Sequence, residues 1–269
     1  MRFGMSVNLN IPNAPRIAKR TLELLKGHEV LLEREMAERF KVPGHLLEEM
    51  DVDIMVTVGG DGTILRALQH SKAPIFGINA GDLGFLTVVS EEELEEGVEN
   101  LLKGNYELEE RIKLQTTVGG RRMPDATNEA VLHTAHVAKI RHFQVFVDGE
   151  MAMNVRSDGI VVATPTGSTC YAMSLGAPLI DPRVEAFVIV PMAPFKFSAR
   201  PVVVPADSRI AVEVVRPKEC VVVVDGQQEL PMAGNETVEF RLAPDRARFV
   251  SFGKGFYART REKLMGTLC

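Results

Sequence analysis

The segment Val56-Thr57-Val58-Gly59-Gly60-Asp61-Gly62-Thr63 sets one acid among glycines, between an apolar run and a helix-forming stretch. That order describes a strand, a sharp turn and the start of a helix, and each part can serve phosphate chemistry. Glycines let the backbone take positive φ angles and leave room for a ligand to approach the main chain. A helix N-terminus offers unpaired N–H groups and a partial positive charge, so anions settle there. On this reading Gly59, Gly60, Gly62 and Thr63 receive the phosphates of a donor. Asp61 would repel a phosphate, but it is placed to accept a proton from an attacking hydroxyl, or to hold a magnesium ion that bridges phosphates. The turn is neither a Walker loop, which ends in Gly-Lys-Ser/Thr, nor the spaced glycine fingerprint of a dinucleotide fold. A plain strand-to-helix connection with Asp61 as helix cap would use the same residues.

Further polar groups follow at Asn128-Glu129, Ser157-Asp158-Gly159, Thr164 to Tyr171 and Asp225-Gly226-Gln227. Each also has a simple structural use. Asn128-Glu129 suits a turn before a strand, and Asp158-Gly159 and Asp225-Gly226 are turn dipeptides. Thr166 to Thr169 can cap a short helix that begins near Cys170. Arg66 lies one helical turn beyond Gly62, a spacing that allows a phosphate contact, although an exposed arginine is ordinarily solvated. Lys139 and Arg156 can be strand-surface charges. His133 and His136 have no third ligand in view, so a structural role is expected for them and no metal ligand is assigned.

The elements that must position these groups change character along the chain. Strand and helix signals alternate through the first hundred residues: a strand over 2–9, a helix with Pro15 in its first turn and Gly27 past its end, and short strands near 30–32, 53–58 and 74–78. The charged stretch 33–39 reads as helix or loop, and 63–70 as helix. Ser90 and Glu93 read as the capping box of a helix that Gly104 closes. This alternation predicts a parallel sheet covered by helices. From Tyr106 to Pro244 the pattern becomes short runs rich in Val, Ile, Phe and Thr, with tight hairpins predicted at Gly119-Gly120, Asp148-Gly149 and Asp225-Gly226. Only one short helix, near 171–175, interrupts them. The expected architecture is a Rossmann-like α/β domain over 1–105, a mainly antiparallel β-sandwich domain over 106–245, and a segment 246–269, helical over 256–266, that packs back on the first.

Composition narrows the function classes. A formal net charge of −5 removes the whole-chain basic field of a general nucleic-acid binder. No run of eighteen apolar residues, basic amphipathic helix or lipid anchor points to a membrane. Cys170, Cys220 and Cys269 form neither a zinc knuckle nor a disulfide framework, which fits a reducing cytoplasm.

The combination resembles the NAD kinase family. Gly59-Gly60-Asp61-Gly62-Thr63 resembles the GGDGT motif that these enzymes share with diacylglycerol and sphingosine kinases and, more loosely, with 6-phosphofructokinases. Asn128-Glu129 resembles the family's NE motif, and Thr164-Pro165-Thr166-Gly167-Ser168-Thr169-Cys170-Tyr171 its TPTGSTAY block. Ser174 to Pro178, Pro191 to Pro201 and Asp225-Gly226-Gln227 follow in the expected order. The likeness spans nearly the whole chain, and the long central block is its most specific part.

The resemblance implies phosphoryl transfer, with Mg²⁺ or another divalent metal, from ATP or polyphosphate to the adenosine ribose 2′-hydroxyl of NAD, giving NADP. It implies that Asp61 activates that hydroxyl, that Gly62 and Arg66 lie by substrate phosphates or ribose, and that Asn128 and Glu129 hold ribose hydroxyls and adenosine. Asp158, with Arg156 close by, would lie toward the nicotinamide. Thr169, Cys170, Tyr171, Ala172, Met173 and Ser174 would line the adenine region, and Lys139, Thr166, Ala193 and Gln227 also carry over to the NAD pocket. A site between two domains and a homo-oligomer, dimer or tetramer, whose neighbouring subunit completes the pocket are implied as well. Cys170 stands where alanine is usual, Ala177 where glycine is usual, and Phe195 where histidine is frequent. The rival readings are a lipid kinase of the GGDGT superfamily and a non-catalytic NADP-binding sensor.

Overall fold

The computed structural model describes residues 1–81, 84–196, 199–253 and 255–265. The chain first forms β1 (Arg2–Val7), α1 (Ala14–Leu24), β2 (Glu29–Glu33), α2 (Arg34–Phe40), β3 (Gly44–His45) and β4 (Ile54–Gly59). Then come α3 (Asp61–His70), β5 (Ile75–Asn79), α4 (Leu94–Lys103), β6 (Glu107–Arg111), β7 (Leu114–Val118), β8 (Arg121–Arg122) and β9 (Glu129–Thr134). After β10 (Arg141–Val147), β11 (Glu150–Ser157) and β12 (Gly159–Ala163) a helical turn leads into α5 (Tyr171–Ser174). The remaining elements are β13 (Ala186–Met192), β14 (Val202–Pro205), β15 (Ile210–Val214), β16 (Cys220–Val224), β17 (Gln228–Met232), β18 (Val238–Leu242), β19 (Ala247–Ser251) and α6 (Phe256–Thr260). They make two compact units, Met1–Glu110 with the described residues from Ala247 onward, and Arg111–Arg246.

The first unit is built on a seven-stranded sheet of order β3-β2-β1-β4-β5-β19-β6. Every residue of β4 is buried, as expected for a strand covered on both faces. One face, with Phe3, Met5, Val56 and Phe76, packs under α1 and α4; the other, with Met55, Ile75 and Phe249, packs under α3. The helices fit because their apolar residues recur at three and four. Ala14, Ile17, Ala18 and Thr21 form the stripe of α1, and Leu94, Gly97, Val98 and Leu101 that of α4. Each large side chain so buried stabilises by roughly 1.5–3 kcal/mol. The chain runs outward from β1 through β2 and β3, then crosses to the other side of β1 with β4. This reversal makes the carboxyl ends of β1 and β4 a crevice of the kind where ligands bind in open α/β sheets.

Three expectations need adjusting here. β6 joins the first sheet, so that unit reaches Glu110 and not 105. β6 is a mostly exposed edge strand, and its local sequence does not say which sheet it joins. The helix expected from Ser90 starts at Leu94. Glu93 does accept the Ser90 N–H at 3.0 Å, but residues between them form a turn. Finally, the segment after Thr260 continues as a wider helical turn over Arg261–Met265, while Gly266 and Cys269 lie outside the described residues.

The second unit contains two six-stranded sheets, β11-β10-β15-β18-β7-β8 and β14-β13-β12-β9-β16-β17. Phe143, Val145, Val212 and Phe240 of the first sheet share a core with Leu132, Ile160, Val162 and Val222 of the second. The three predicted hairpins form, and their turn residues Gly119, Gly120, Asp148, Gly149, Asp225 and Gly226 all have positive φ. The second sheet also buries its outer face: Val161, Ala163, Val188 and Val190 pack with Ala172 of α5. That second layer holds the Thr164–Ser174 segment firmly against β12 and β13.

Candidate active site

In the first unit the glycine turn leaves β4 and opens α3, with Asp61 as the first helical residue. The Asp61 carboxylate is fixed by the loop after β5, where Oδ2 accepts the Phe85 N–H at 2.7 Å and Oδ1 the Leu86 N–H at 2.9 Å. These bonds set its direction. The loop comes this close because Gly84 has no side chain; a Cβ there would lie 2.1 Å from Asp61 Oδ1.

The turn glycines act through space and not through left-handed backbone. Gly60 has φ −109° and ψ −170°, and none of Gly59, Gly60 and Gly62 has positive φ, so that part of the sequence expectation is corrected. A Cβ on Gly59 would sit 2.3 Å from Thr63 Oγ1, whereas one on Gly60 or Gly62 would meet nothing within 4 Å. Gly59 therefore allows Thr63 to tuck in, and the faces of Gly60 and Gly62 are open to an incoming group. Thr63 Oγ1 is buried with no partner. Asn79, paired with Gly59 across the sheet, likewise has its Oδ1 buried and unpartnered. Sequence reasoning missed Asn79, Gly84 and the two loop amides. The available signal was the rule that ligands meet the carboxyl ends of such strands.

Arg66 has protein partners of its own. Its guanidinium makes a two-pronged ion pair with buried Glu33 and donates to Ser6 Oγ at 2.9 Å. These contacts tie α3 to β1 and β2.

In the second unit Asn128 and Glu129 stand at the start of β9, beside the Thr164–Cys170 turn. Thr164 Oγ1 donates to the Thr127 carbonyl and accepts the Gly167 N–H, while Thr164 N–H donates to the Asn128 carbonyl. Thr164, and not Thr166 to Thr169, therefore caps the helical turn that precedes α5. Thr169 Oγ1 donates back to the Thr166 carbonyl. Gly167 packs directly on Asn128, since a Cβ there would lie 2.2 Å from its carbonyl oxygen. Asn128 Nδ2 donates to Cys170 Sγ at 3.3 Å, so the cysteine that replaces the usual alanine is a working member of the cluster. Ala177, in place of the usual glycine, packs against the apolar layer beneath α5.

Asp225, from the β16–β17 hairpin, ends inside this cluster. Its Oδ2 accepts the Thr127 N–H at 2.8 Å, and its Oδ1 accepts Asn128 N–H at 2.8 Å and Glu129 N–H at 3.1 Å. Burial pushes the Asp225 carboxyl up to about 6, against the pull of those three N–H groups and of Lys113. Burial first, and the Asp225 charge second, push Glu129 up to about 8. Near neutral pH Asp225 is thus the ionised member, and Glu129 keeps its proton. Thr127 Oγ1, Asn128 Oδ1 and Glu129 Oε2 are buried without partners. Buried polar atoms are ordinarily paired, so these three are candidates for contact with hydroxyl or amine groups of a ligand.

The other candidates fall at the far end of the same strands. β9 and β12 are antiparallel, with Glu129 opposite Ala163 and Gly159 opposite His133. Asp158 is therefore about five residues, or roughly 16 Å, from Glu129. There Asp158 N–H bonds the Met192 carbonyl and Phe195 N–H bonds the Arg156 carbonyl. The Arg156 guanidinium lies 5.8 Å from the centre of the Phe195 ring, and Ala193 has φ 42°, a strained value for a residue with a side chain. Part of the expected 191–201 segment, 197–198, is outside the described residues. Lys139 is exposed in the β9–β10 loop, Gln227 is exposed in the β16–β17 turn, and Tyr171, 44% exposed, opens α5 with Ala172, Met173 and Ser174 behind it. His136 pairs with Glu219 and His133 with the Thr134 carbonyl, and no group of three metal-ligating side chains occurs among the described residues. No helix among them is long and apolar enough to cross a membrane.

Comparison with known proteins decides what this arrangement belongs to. Residues 16–106 match the ATP-NAD kinase N-terminal domain, and residues 127–252 the ATP-NAD kinase C-terminal domain. NAD kinase from Thermoplasma acidophilum is 38% identical over 267 residues, covering 98% of each chain. NAD kinase from Methanothermobacter thermautotrophicus is 41% identical over 274 residues, 98% of this chain and 96% of its own. The chain belongs to the NAD kinase family. It is accordingly an NAD kinase enzyme, a phosphotransferase, as the GGDGT, NE and TPTGST segments together led one to expect. An NAD kinase from Archaeoglobus fulgidus, solved in complex with ATP, superposes with a TM-score of 0.80 at 31% identity, covering 99% of this chain and 98% of that one. Yeast NADH kinase, solved with NADH, shares the fold at a TM-score of 0.89 and 20% identity, over 100% of this chain and 88% of that one. Relatives matched from end to end set aside the lipid-kinase reading.

Proposed function

We propose that this NAD kinase transfers the terminal phosphoryl group of ATP to the 2′-hydroxyl of the adenosine ribose of NAD, with Asp61 as the base. The observation that carries this is the Asp61 carboxylate, held rigid by Phe85 and Leu86 N–H groups at a turn whose Gly60 and Gly62 faces are open. Each oxygen keeps a lone pair beyond the one its N–H occupies, so a hydroxyl brought against it can lose its proton as the O–P bond forms. Open backbone at a helix start suits the charge that develops on the transferring phosphoryl oxygens. The partnerless atoms of Thr127, Asn128 and Glu129 suit ribose and adenine, and the protonated Glu129 can donate a hydrogen bond as well as accept one.

The donor set at the turn fits magnesium only in company with phosphates. Asp61 is the carboxylate at hand and Asn79 Oδ1, on the strand paired with Gly59, is an unpartnered oxygen, and Mg²⁺ is commonly held by one or two protein oxygens plus substrate phosphates. When bound it would neutralise donor charge. A backbone-lined anion site is indifferent to what lies beyond the phosphates, so polyphosphate is a donor to test beside ATP.

Arg156, Asp158 and Ala193 are proposed for the nicotinamide end. Their separation from Asn128 and Glu129 fits either one extended dinucleotide or a neighbouring subunit that supplies the far end, and the family resemblance favours a dimer or tetramer. Assay of NADP formation from NAD with ATP or polyphosphate, with and without Mg²⁺, tests the reaction. No NADP from any donor overturns it. Mixing Asp61→Asn with Asp158→Ala protein tests subunit sharing: regained activity supports a shared site, and none places the whole site on one chain.

A further inference from the structure

We propose that Asp225 is the positioning residue of the NAD site, acting through the backbone of Thr127, Asn128 and Glu129. This rests on the reading of Asn128 and Glu129 as NAD-binding groups. Three successive N–H groups curl round one carboxylate, which is the geometry of a backbone anion nest. Here the anion is the chain's own side chain, delivered from a hairpin turn whose Asp225 and Gly226 both have positive φ. The turn places the acid inside the protein, only 5% exposed, where an ordinary turn aspartate would face water.

The arrangement separates the N–H groups of residues 127–129 from three of their side-chain oxygens. Their N–H groups are all taken by Asp225. Their side-chain atoms, Thr127 Oγ1, Asn128 Oδ1 and Glu129 Oε2, are left unpartnered. Without the clamp, three buried N–H groups would need other acceptors, and the side chains just released from ligand duty are the nearest ones available. Asp225 thereby keeps the recognition atoms free and aimed. Lys113 and the Glu129 carboxyl are the charged or titratable neighbours that bear on it.

The test is kinetic. Asp225→Asn keeps the shape but replaces one accepting oxygen with an NH₂ that faces N–H donors. The expected result is a rise of at least ten-fold in KM for NAD, with KM for ATP within two-fold and kcat within about three-fold. Combined with Asn128→Ala, it should raise KM for NAD hardly further than the worse single change, because both act on one contact set. An unchanged KM for NAD in Asp225→Asn, or additive effects in the double variant, overturns the proposal. If the asparagine variant does not fold, Asp225→Ser is read in the same way, and failure of both to fold makes Asp225 merely structural. If Asn128→Ala and Glu129→Gln alone leave KM for NAD unaltered, the reading of the site itself fails, whatever Asp225 does.

Discussion

Asp61 and Asp225 are held by the same device, consecutive backbone N–H groups closing on a carboxylate, yet the molecule places them in opposite surroundings. Asp61 stands at the mouth of a helix beside open glycine faces, with two N–H partners. Asp225 is sealed inside a sandwich with three. On the proposed reading the first keeps lone pairs for a reacting proton, and the second commits its capacity to the fold around the NAD-binding residues. Backbone clamping alone therefore says nothing about use. What separates the two carboxylates is access.

The largest expected effect is at the open site. Asp61→Asn should lower kcat by roughly 10²–10⁴-fold while NAD binding by calorimetry stays near wild type. Near-normal turnover would take the base role away from Asp61. Next comes Gly84→Ala, whose new Cβ must displace the Asp61 carboxylate or the loop that holds it. A shift on the order of 1 Å in a reacting group costs about 10²-fold in rate. Steady-state kinetics should show that loss in kcat, with the melting temperature little changed; a silent substitution would mean that the clamp is looser than drawn here.

At the sealed site the effects are smaller and fall on binding and stability. Gly167→Ala pushes a Cβ against the Asn128 carbonyl. Overpacking of this kind costs about 1–3 kcal/mol, and urea unfolding should register it together with weaker NAD affinity. The smallest effect is a pH dependence. Glu129 holds its proton in the folded protein up to about 8, whereas the unfolded chain loses it near the ordinary carboxylate value of 4.5. Between those values the folded state binds more protons, so this group's contribution to stability is lost as pH rises through the window. Asp225, raised to about 6, adds in the same direction over the lower part of it. The melting temperature of the ligand-free enzyme should fall between pH 6 and 9 by more than that of Glu129→Gln. Parallel curves for the two proteins would show that Glu129 is already ionised.

The parts of this enzyme written in local sequence were readable without coordinates. Gly59 to Thr63 announced a strand-to-helix turn, the Gly119-Gly120, Asp148-Gly149 and Asp225-Gly226 pairs announced hairpins, and Pro15 and Gly27 bracketed a helix. What escaped was held by long-range side-chain to backbone bonds. Asp61 is fixed by residues 24 and 25 positions away, and Asp225 acts on residues 96 to 98 positions away. No periodicity or spacing encodes such bonds, because the sheet topology alone brings the partners together. The Arg66 contacts escaped for a related reason: its helical spacing from Gly62 was visible, but its partners Glu33 and Ser6 lie on β2 and β1. β6 shows the limit for whole elements, since its pattern could not say which sheet it would join.

The place of β19 between β5 and β6 bears on how the protein is made. Phe249 pairs with Ile75, so the first sheet has a gap until residues near the end of the chain leave the ribosome. By then every strand of the second unit has been synthesised, and chains emerge at about 5–20 residues per second. For those several seconds β5 presents an unpaired edge, and β6 waits without the strand that joins it to the sheet. A nascent chain stalled before Ala247 would carry the glycine turn and Asp61 on an unfinished sheet, so the first unit is completed only after the second has been made.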